Sequence, residues 1–262
     1  CGIGGILELT GDPDGALREY NVAMQLDPKY AAPYANRGSL LWHRGKSEAA
    51  LADFATAIRL DPNWAASYIN RGNLYYDRGD LDAALADYET AMRVDPRCSS
   101  AWFNRGLVRR DRGDFPAALA DFAQAARIDP RRADIHKQSG ALLLSKGDAE
   151  GALREFEAAL RIAPKAEAYA DRGAARVLQG DQRAALADYN EAIRLDAACP
   201  APWFRRGDLR RDQGDYAAAL ADYAEAIRLD AVCAEAYAGR ALMHKLAGDL
   251  FEAMRDYEAA LR

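Results

Sequence analysis

Cysteine, histidine, lysine and the β-branched residues are all scarce in this 262-residue sequence. The four cysteines, Cys1, Cys98, Cys199 and Cys233, form no CxxC pair, which removes zinc knuckles and dithiol redox motifs. So few cysteines in so long a chain do not make a disulfide framework, and a reducing, cytoplasmic compartment is the expectation. Cys1 leaves a lipoprotein or extracytoplasmic location open, but the apolar stretch that follows it reads as the edge of a fragment rather than a polar tether. His43, His136 and His244 lie far apart, and none stands at ligand spacing from a cysteine, so no metal and no cofactor is expected. No uncharged apolar run is long enough for a transmembrane helix. A basic excess is missing too: the net charge is −5, which disfavours nucleic acid. Gly45-Lys46-Ser47 imitates the end of a phosphate loop but has no strand before it. These absences argue against an enzyme.

Alanine and arginine are abundant, and both favour helix. The organising fact is a period. Gly followed by an acid recurs at Gly11, Gly79, Gly113, Gly147, Gly180, Gly214 and Gly248, with Gly45-Lys46 in the remaining place. Every step is 34 residues except the 33 from Gly147 to Gly180. A small residue, an aromatic and a second alanine follow each glycine in fixed register, as in Ala50, Phe54 and Ala57. A second glycine precedes it by seven residues, from Gly4 to Gly207, with Ala241 in the last unit.

Residues 31–64 show the physics of one unit. Pro33 sits in a tolerated first-turn position, and Tyr34, Gly38, Leu41 and Trp42 follow at helical spacing. Gly45 ends that helix and Ser47 caps the next; elsewhere the Asp after Gly is the cap. Ala50, Leu51, Phe54, Ala57 and Ile58 form the buried stripe, and Asp61-Pro62 stops the helix. Ala197 and Ala231 replace the closing proline, so those two junctions are expected to run on more continuously.

This pattern of small, aromatic, small and proline resembles the tetratricopeptide repeat family over essentially the whole chain. It gives eight helix–turn–helix units, 1–30, 31–64, 65–98, 99–132, 133–165, 166–199, 200–233 and 234–262, in one solenoid domain. The resemblance implies an all-α fold: a right-handed superhelical solenoid of tandem hairpins whose first helices line a concave groove. Neither end carries a polar capping helix. A fragment of a longer protein, or homo-oligomerisation through uncapped ends, is the expectation.

Two charged series recur in phase. Arg37, Arg71, Arg105, Arg172, Arg206 and Arg240 stand beside the first-helix glycine; Asp53, Asp87, Asp121, Glu155, Asp188, Asp222 and Asp256 precede the second-helix aromatic. A ladder of two-pronged pairs between packed helices is expected, broken at Ser139. Arg59, Arg93, Arg127, Arg161, Arg194 and Arg228 lie near second-helix C-termini, where the helix dipole accounts for them. Cys98, Cys199 and Cys233 share a junction slot and read as small buried fillers.

In the family, the slot before the ladder arginine faces the groove. Here it holds Asn36, Asn70, Asn104, Gln138, Asp171, Arg205 and Gly239. The amides resemble the asparagine ladder with which some members hold a peptide backbone, since an amide both donates and accepts. Asn73, Tyr76, Phe103, Arg110, Phe204 and Arg211 complete the candidate peptide-binding residues; the two phenylalanines are either ligand anchors or packed against a neighbouring helix. Unit 99–132 carries +3 and unit 1–30 carries −3. The clusters Arg109, Arg110, Arg112 and Arg205, Arg206, Arg210, Arg211 favour a ligand with carboxylates, unless Asp111 and Asp212 neutralise them. The chaperone-tail clamp of some members is absent, because its positions hold Ala35, Ser39 and Asn70, or Lys137, Ala141 and Asp171. The expected function is a scaffold that binds a protein or extended peptide. The alternatives are the recognition segment of a larger enzyme or signalling protein, and a self-assembly module.

Overall fold

The computed structural model describes residues 2–261. Cys1 and Arg262 lie outside them, and with them the readings made of Cys1 and of the chain's last residue. Among the described residues every regular element is helical, and the chain divides into two compact units, Cys1–Pro130 and Arg131–Arg262. The first holds α1 (Gly2–Leu9), α2 (Pro13–Leu26), α3 (Ala31–His43), α4 (Ser47–Leu60), α5 (Ala65–Asp77), α6 (Leu81–Val94), α7 (Ser99–Asp111) and α8 (Phe115–Ile128). The second holds α9 (Ala133–Ser145), α10 (Ala149–Ile162), α11 (Ala166–Leu178), α12 (Gln182–Leu195), α13 (Pro200–Asp212), α14 (Tyr216–Leu229), α15 (Ala234–Ala247) and α16 (Leu250–Ala260). Odd-numbered helices are the first of each hairpin and even-numbered ones the second.

The hairpin turn is set by two residues. In the α7–α8 turn, Gly113 takes φ +81°, a left-handed conformation that costs a residue with a Cβ about 1 kcal/mol or more. Its N–H donates to the Arg110 carbonyl and that of Asp114 to the Arg109 carbonyl, both at 2.9 Å, closing the end of α7. The Asp114 carboxylate then accepts from the Ala117 N–H and starts α8. The α3–α4 turn departs from the expected cap. Ser47 is already the first residue of α4; Lys46 occupies the cap position, and no side chain caps this helix.

Between hairpins the stop comes from aspartate. Asp61 Oδ1 accepts from the Asn63 N–H at 3.1 Å, and Asp95 Oδ1 from the Arg97 N–H at 2.9 Å. The two junctions without proline, expected to run on, do not. Asp196 and Asp230 take the same extended backbone and accept from the Ala198 and Val232 N–H groups at 3.0 Å. An Asp side chain that bonds its own backbone two residues on offers an alternative to the helix, and proline is dispensable to it. The 33-residue step loses its residue here: only residues 163–165 separate α10 from α11, and no aspartate is among them. The junction cysteines sit at the N-cap positions of α7, α13 and α15; Cys233 is buried, but Cys98 and Cys199 are half-buried rather than the buried fillers expected.

The core is a series of knots, each shared by two hairpins. Phe54 lies fully buried beneath Gly38, and the adjoining α5 supplies Leu74 to cover it. Tyr20 with Leu40 and Tyr88 with Val108 repeat the knot in the first unit; Phe156 with Ala175, Tyr189 with Leu209 and Tyr223 with Met243 repeat it in the second. Full burial of each such ring contributes about 1.5–3 kcal/mol, most of which exists only when the neighbour is present.

Candidate functional site

The arginine–carboxylate ladder forms within hairpins. Each Asp of the series is at most 6% exposed and accepts two bonds from the arginine 16 residues before it, as Asp53 does from Arg37 Nε and Nη2 at 2.7 Å. The same fork joins Arg71 to Asp87, Arg105 to Asp121, Arg172 to Asp188, Arg206 to Asp222 and Arg240 to Asp256. The guanidinium of Arg105 also lies 5.0 Å from the Trp102 ring centre, and that of Arg206 lies 4.9 Å from Trp203. Arg37 and Arg206 reach the preceding hairpin through Asn21 and Asn190, each at 2.6 Å. At the gap left by Ser139, His136 takes over: its Nδ1 lies 2.8 Å from Glu155 Oε2.

A second cation reaches three of these six aspartates from one turn further along the first helix. Arg109, Arg176 and Arg210 lie 2.9, 2.8 and 2.8 Å from Asp121, Asp188 and Asp222; His244 occupies the slot near Asp256. For the basic clusters these contacts give the second of the two expected arrangements, neutralisation by neighbouring carboxylates. Arg109 and Arg210 belong to the ladder, Arg110 bonds Asp111, Arg112 bonds Asp82, and Arg205 bonds Asp171 at 3.0 Å. Arg211 spans Asp208 and Asp212 at 2.8 and 2.9 Å. The inner-face charges are therefore largely neutralised within the chain.

In each unit the first helices touch one another directly, α3 to α5 to α7 and α9 to α11 to α13 to α15, and make an inner face. In the first unit this face carries amides tied from hairpin to hairpin. Asn104 Nδ2 donates to Asn73 Oδ1 at 2.7 Å, and the Tyr88 hydroxyl donates to the same oxygen at 2.7 Å. Asn70 Nδ2 reaches Ser39 Oγ at 3.4 Å, and the Tyr76 hydroxyl bonds Asp111. Asn36 is half-buried on the same face. Phe103 is not on it: the side chain is buried, with its ring centre 5.7 Å from that of Phe122.

In the second unit Gln138 is half-buried, and Phe204 packs partly buried against the knot around Tyr223. The Tyr223 hydroxyl donates to Asp208 Oδ1 at 2.8 Å. Burial raises the Asp208 carboxyl above its usual range, against the opposing pull of that bond and of Arg211. Gly239 fills the amide slot of α15 because a Cβ there would meet the Tyr223 ring at 2.4 Å.

Tetratricopeptide repeat models match residues 31–63, 69–133, 166–199 and 200–231, well over half the sequence. The chain belongs to the tetratricopeptide repeat family. Solved structures of tetratricopeptide proteins share the fold. One from Parabacteroides merdae is 20% identical, with 96% of each chain covered and a TM-score of 0.65. YrrB, described as a TPR protein with an unusual peptide-binding site, is 23% identical over 70% of this chain and 95% of its own, with a TM-score of 0.57. Pseudomonas aeruginosa pilF is 19% identical over 73% and 88%, with a TM-score of 0.65. No curated protein sequence matches the chain significantly. Tetratricopeptide repeats serve generally as protein-interaction scaffolds and are generally non-catalytic. Among the described residues no helix is long and apolar enough to cross a membrane, and no cluster of three metal-ligating side chains occurs.

The second cation of the ladder and the histidine replacements escaped the sequence reading. A signal was available for both: Arg109, Arg176, Arg210 and His244 hold one slot, and the gap at Ser139 has His136 one turn away.

Proposed function

We propose that this tetratricopeptide chain binds an extended peptide segment of a protein partner along the inner faces of its units. The observation that carries this reading is the amide array of the first unit. Asn73 receives two hydrogen bonds on Oδ1, from Tyr88 and Asn104, and so is fixed in orientation with its NH2 group unspent on those partners. A peptide backbone alternates donors and acceptors, and amides held in place meet it without ordering cost. YrrB, a relative in fold, is named for a peptide-binding site, which supports the same use of the fold. The paired arginines and the net charge of −5 weigh against a nucleic-acid ligand.

The test is binding of fluorescent peptides selected from a random library against the intact chain. Asn70→Ala combined with Asn104→Ala should weaken them about tenfold or more at unchanged thermal stability. Selected peptides that bind the double variant as tightly as the parent would sink the proposal.

A further inference from the structure

Three of the four buried second-helix tyrosines have an acceptor for their hydroxyl. Tyr88 has Asn73, Tyr223 has Asp208, and Tyr20 has Glu8. Tyr189 is the fourth. It is 2% exposed, it has no hydrogen-bond partner among the described residues, and burial pushes its hydroxyl up to about 12. The cause is a single residue. The position that holds Asn73 beside Tyr88 and Asp208 beside Tyr223 holds Ala174 beside Tyr189. Where the other two hairpins place a polar side chain, this one leaves a pocket of about 220 Å³ between α11 and α13, with Tyr189, Ala174, Val177 and Leu209 in its walls. Asp208 and Asp212 complete it. Arg211 and Tyr223 occupy the Oδ1 atoms of these two aspartates, and their Oδ2 atoms have no hydrogen-bond partner among the described residues. Arg205, the remaining wall, is held by Asp171.

We propose that this pocket is a subsite for a carboxamide side chain, Gln or Asn, of the peptide bound along the second unit. The assignment rests on the peptide-binding reading above. Tyr189 Oη donates to the amide oxygen, as Tyr88 does to Asn73, and the Oδ2 atoms of Asp208 and Asp212 accept from the amide nitrogen. The chemistry selects against the alternatives. A glutamate tip would face two carboxylates, and a lysine tip would leave the tyrosine proton without an acceptor. The walls of Ala174, Val177 and Leu209 suit the methylene stem.

The experiment is selection of random dodecapeptides displayed on phage against the intact chain, followed by anisotropy measurements with synthetic peptides. One peptide position should be enriched in Gln or Asn, and changing that residue to Glu or Lys should weaken binding about tenfold. Ala174→Asn, which fills the pocket and gives Tyr189 a partner inside the chain, should weaken binding by about the same factor at equal or higher Tm. Tyr189→Phe, which keeps the ring, should weaken it about fivefold. Peptides that bind without a carboxamide position, or that bind the Ala174→Asn chain as tightly as the parent, overturn the subsite and leave the peptide-binding reading standing. If no peptide is selected, that reading falls and the pocket is judged alone, by NMR titration with N-acetylglutamine N-methylamide and its lysine counterpart. Saturable shifts of the Val177 and Leu209 methyls with the glutamine compound only, lost in Ala174→Asn, uphold the subsite; their absence overturns it.

Discussion

Asp121 and Arg105 form a two-pronged pair, at 2.9 and 2.7 Å, in which the carboxylate is 2% exposed and Arg109 adds a third bond at 2.9 Å. The partner of a buried ion pair is costly to leave behind, because its charge stays desolvated. Asp121→Ala strands two guanidinium groups and should cost about 3–5 kcal/mol in urea denaturation followed by circular dichroism. A loss below about 1 kcal/mol, the range of surface pairs, would show that the pair is solvated in solution.

Gly106 marks a close approach of the two helices within its hairpin. A Cβ on it would lie 2.7 and 2.8 Å from Phe122 Cε1 and Cδ1, and the ring is fully buried with no room to withdraw. Gly106→Ala should destabilise by about 1–3 kcal/mol despite the better helix propensity of alanine. A gain in Tm would contradict the packing described.

Ser67 presents the opposite case. Its hydroxyl is buried and has no hydrogen-bond partner among the described residues, and the equivalent slot holds Ala101, Ala168 and Ala236 in other hairpins. Ser67→Ala removes an unsatisfied polar atom and should stabilise by about 1 kcal/mol, read as a higher urea midpoint at unchanged slope. A lower midpoint would mean that the hydroxyl is satisfied in solution.

Asp208 gives a pH dependence with a definite sign. Burial raises its folded-state pKa above the ordinary value of 3.8, so the folded chain holds that proton more tightly than the unfolded one. Its contribution is therefore most favourable below 3.8 and is lost as pH rises through the raised value. Asp208→Asn keeps an acceptor for Tyr223 and removes the charge. Its stability relative to the parent should rise between pH 3.8 and neutrality and level off above. A difference that does not vary with pH would refute this origin.

The fold is legible in the sequence because its determinants are local and periodic. Glycine at the left-handed turn position, aspartate at the cap and the small–aromatic–small stripe each act within one hairpin, and each recurs often enough to be read. Ser47 misled because serine is a good cap only one residue earlier than it stands. Ala197 and Ala231 misled because the stop at these junctions belongs to Asp196 and Asp230, which act there without a proline; at 163–165 the proline stands without an aspartate. The inner face was harder. Whether Arg109 meets a ligand or Asp121 depends on a contact across 12 residues and two helices, which spacing alone does not decide. The pocket beside Tyr189 was invisible for a related reason: it is defined by what Ala174 lacks, and a missing side chain makes no motif.

The borrowed cover over each aromatic has a consequence for how the molecule comes apart. Within a unit, no hairpin owns the whole of its own interior: Phe54 is sealed by Leu74, and Tyr88 by Val108. The interior of each unit is strung out like beads, without a single centre. Losing one hairpin unseals its predecessor in that unit, so melting passes from hairpin to hairpin as a zipper opens.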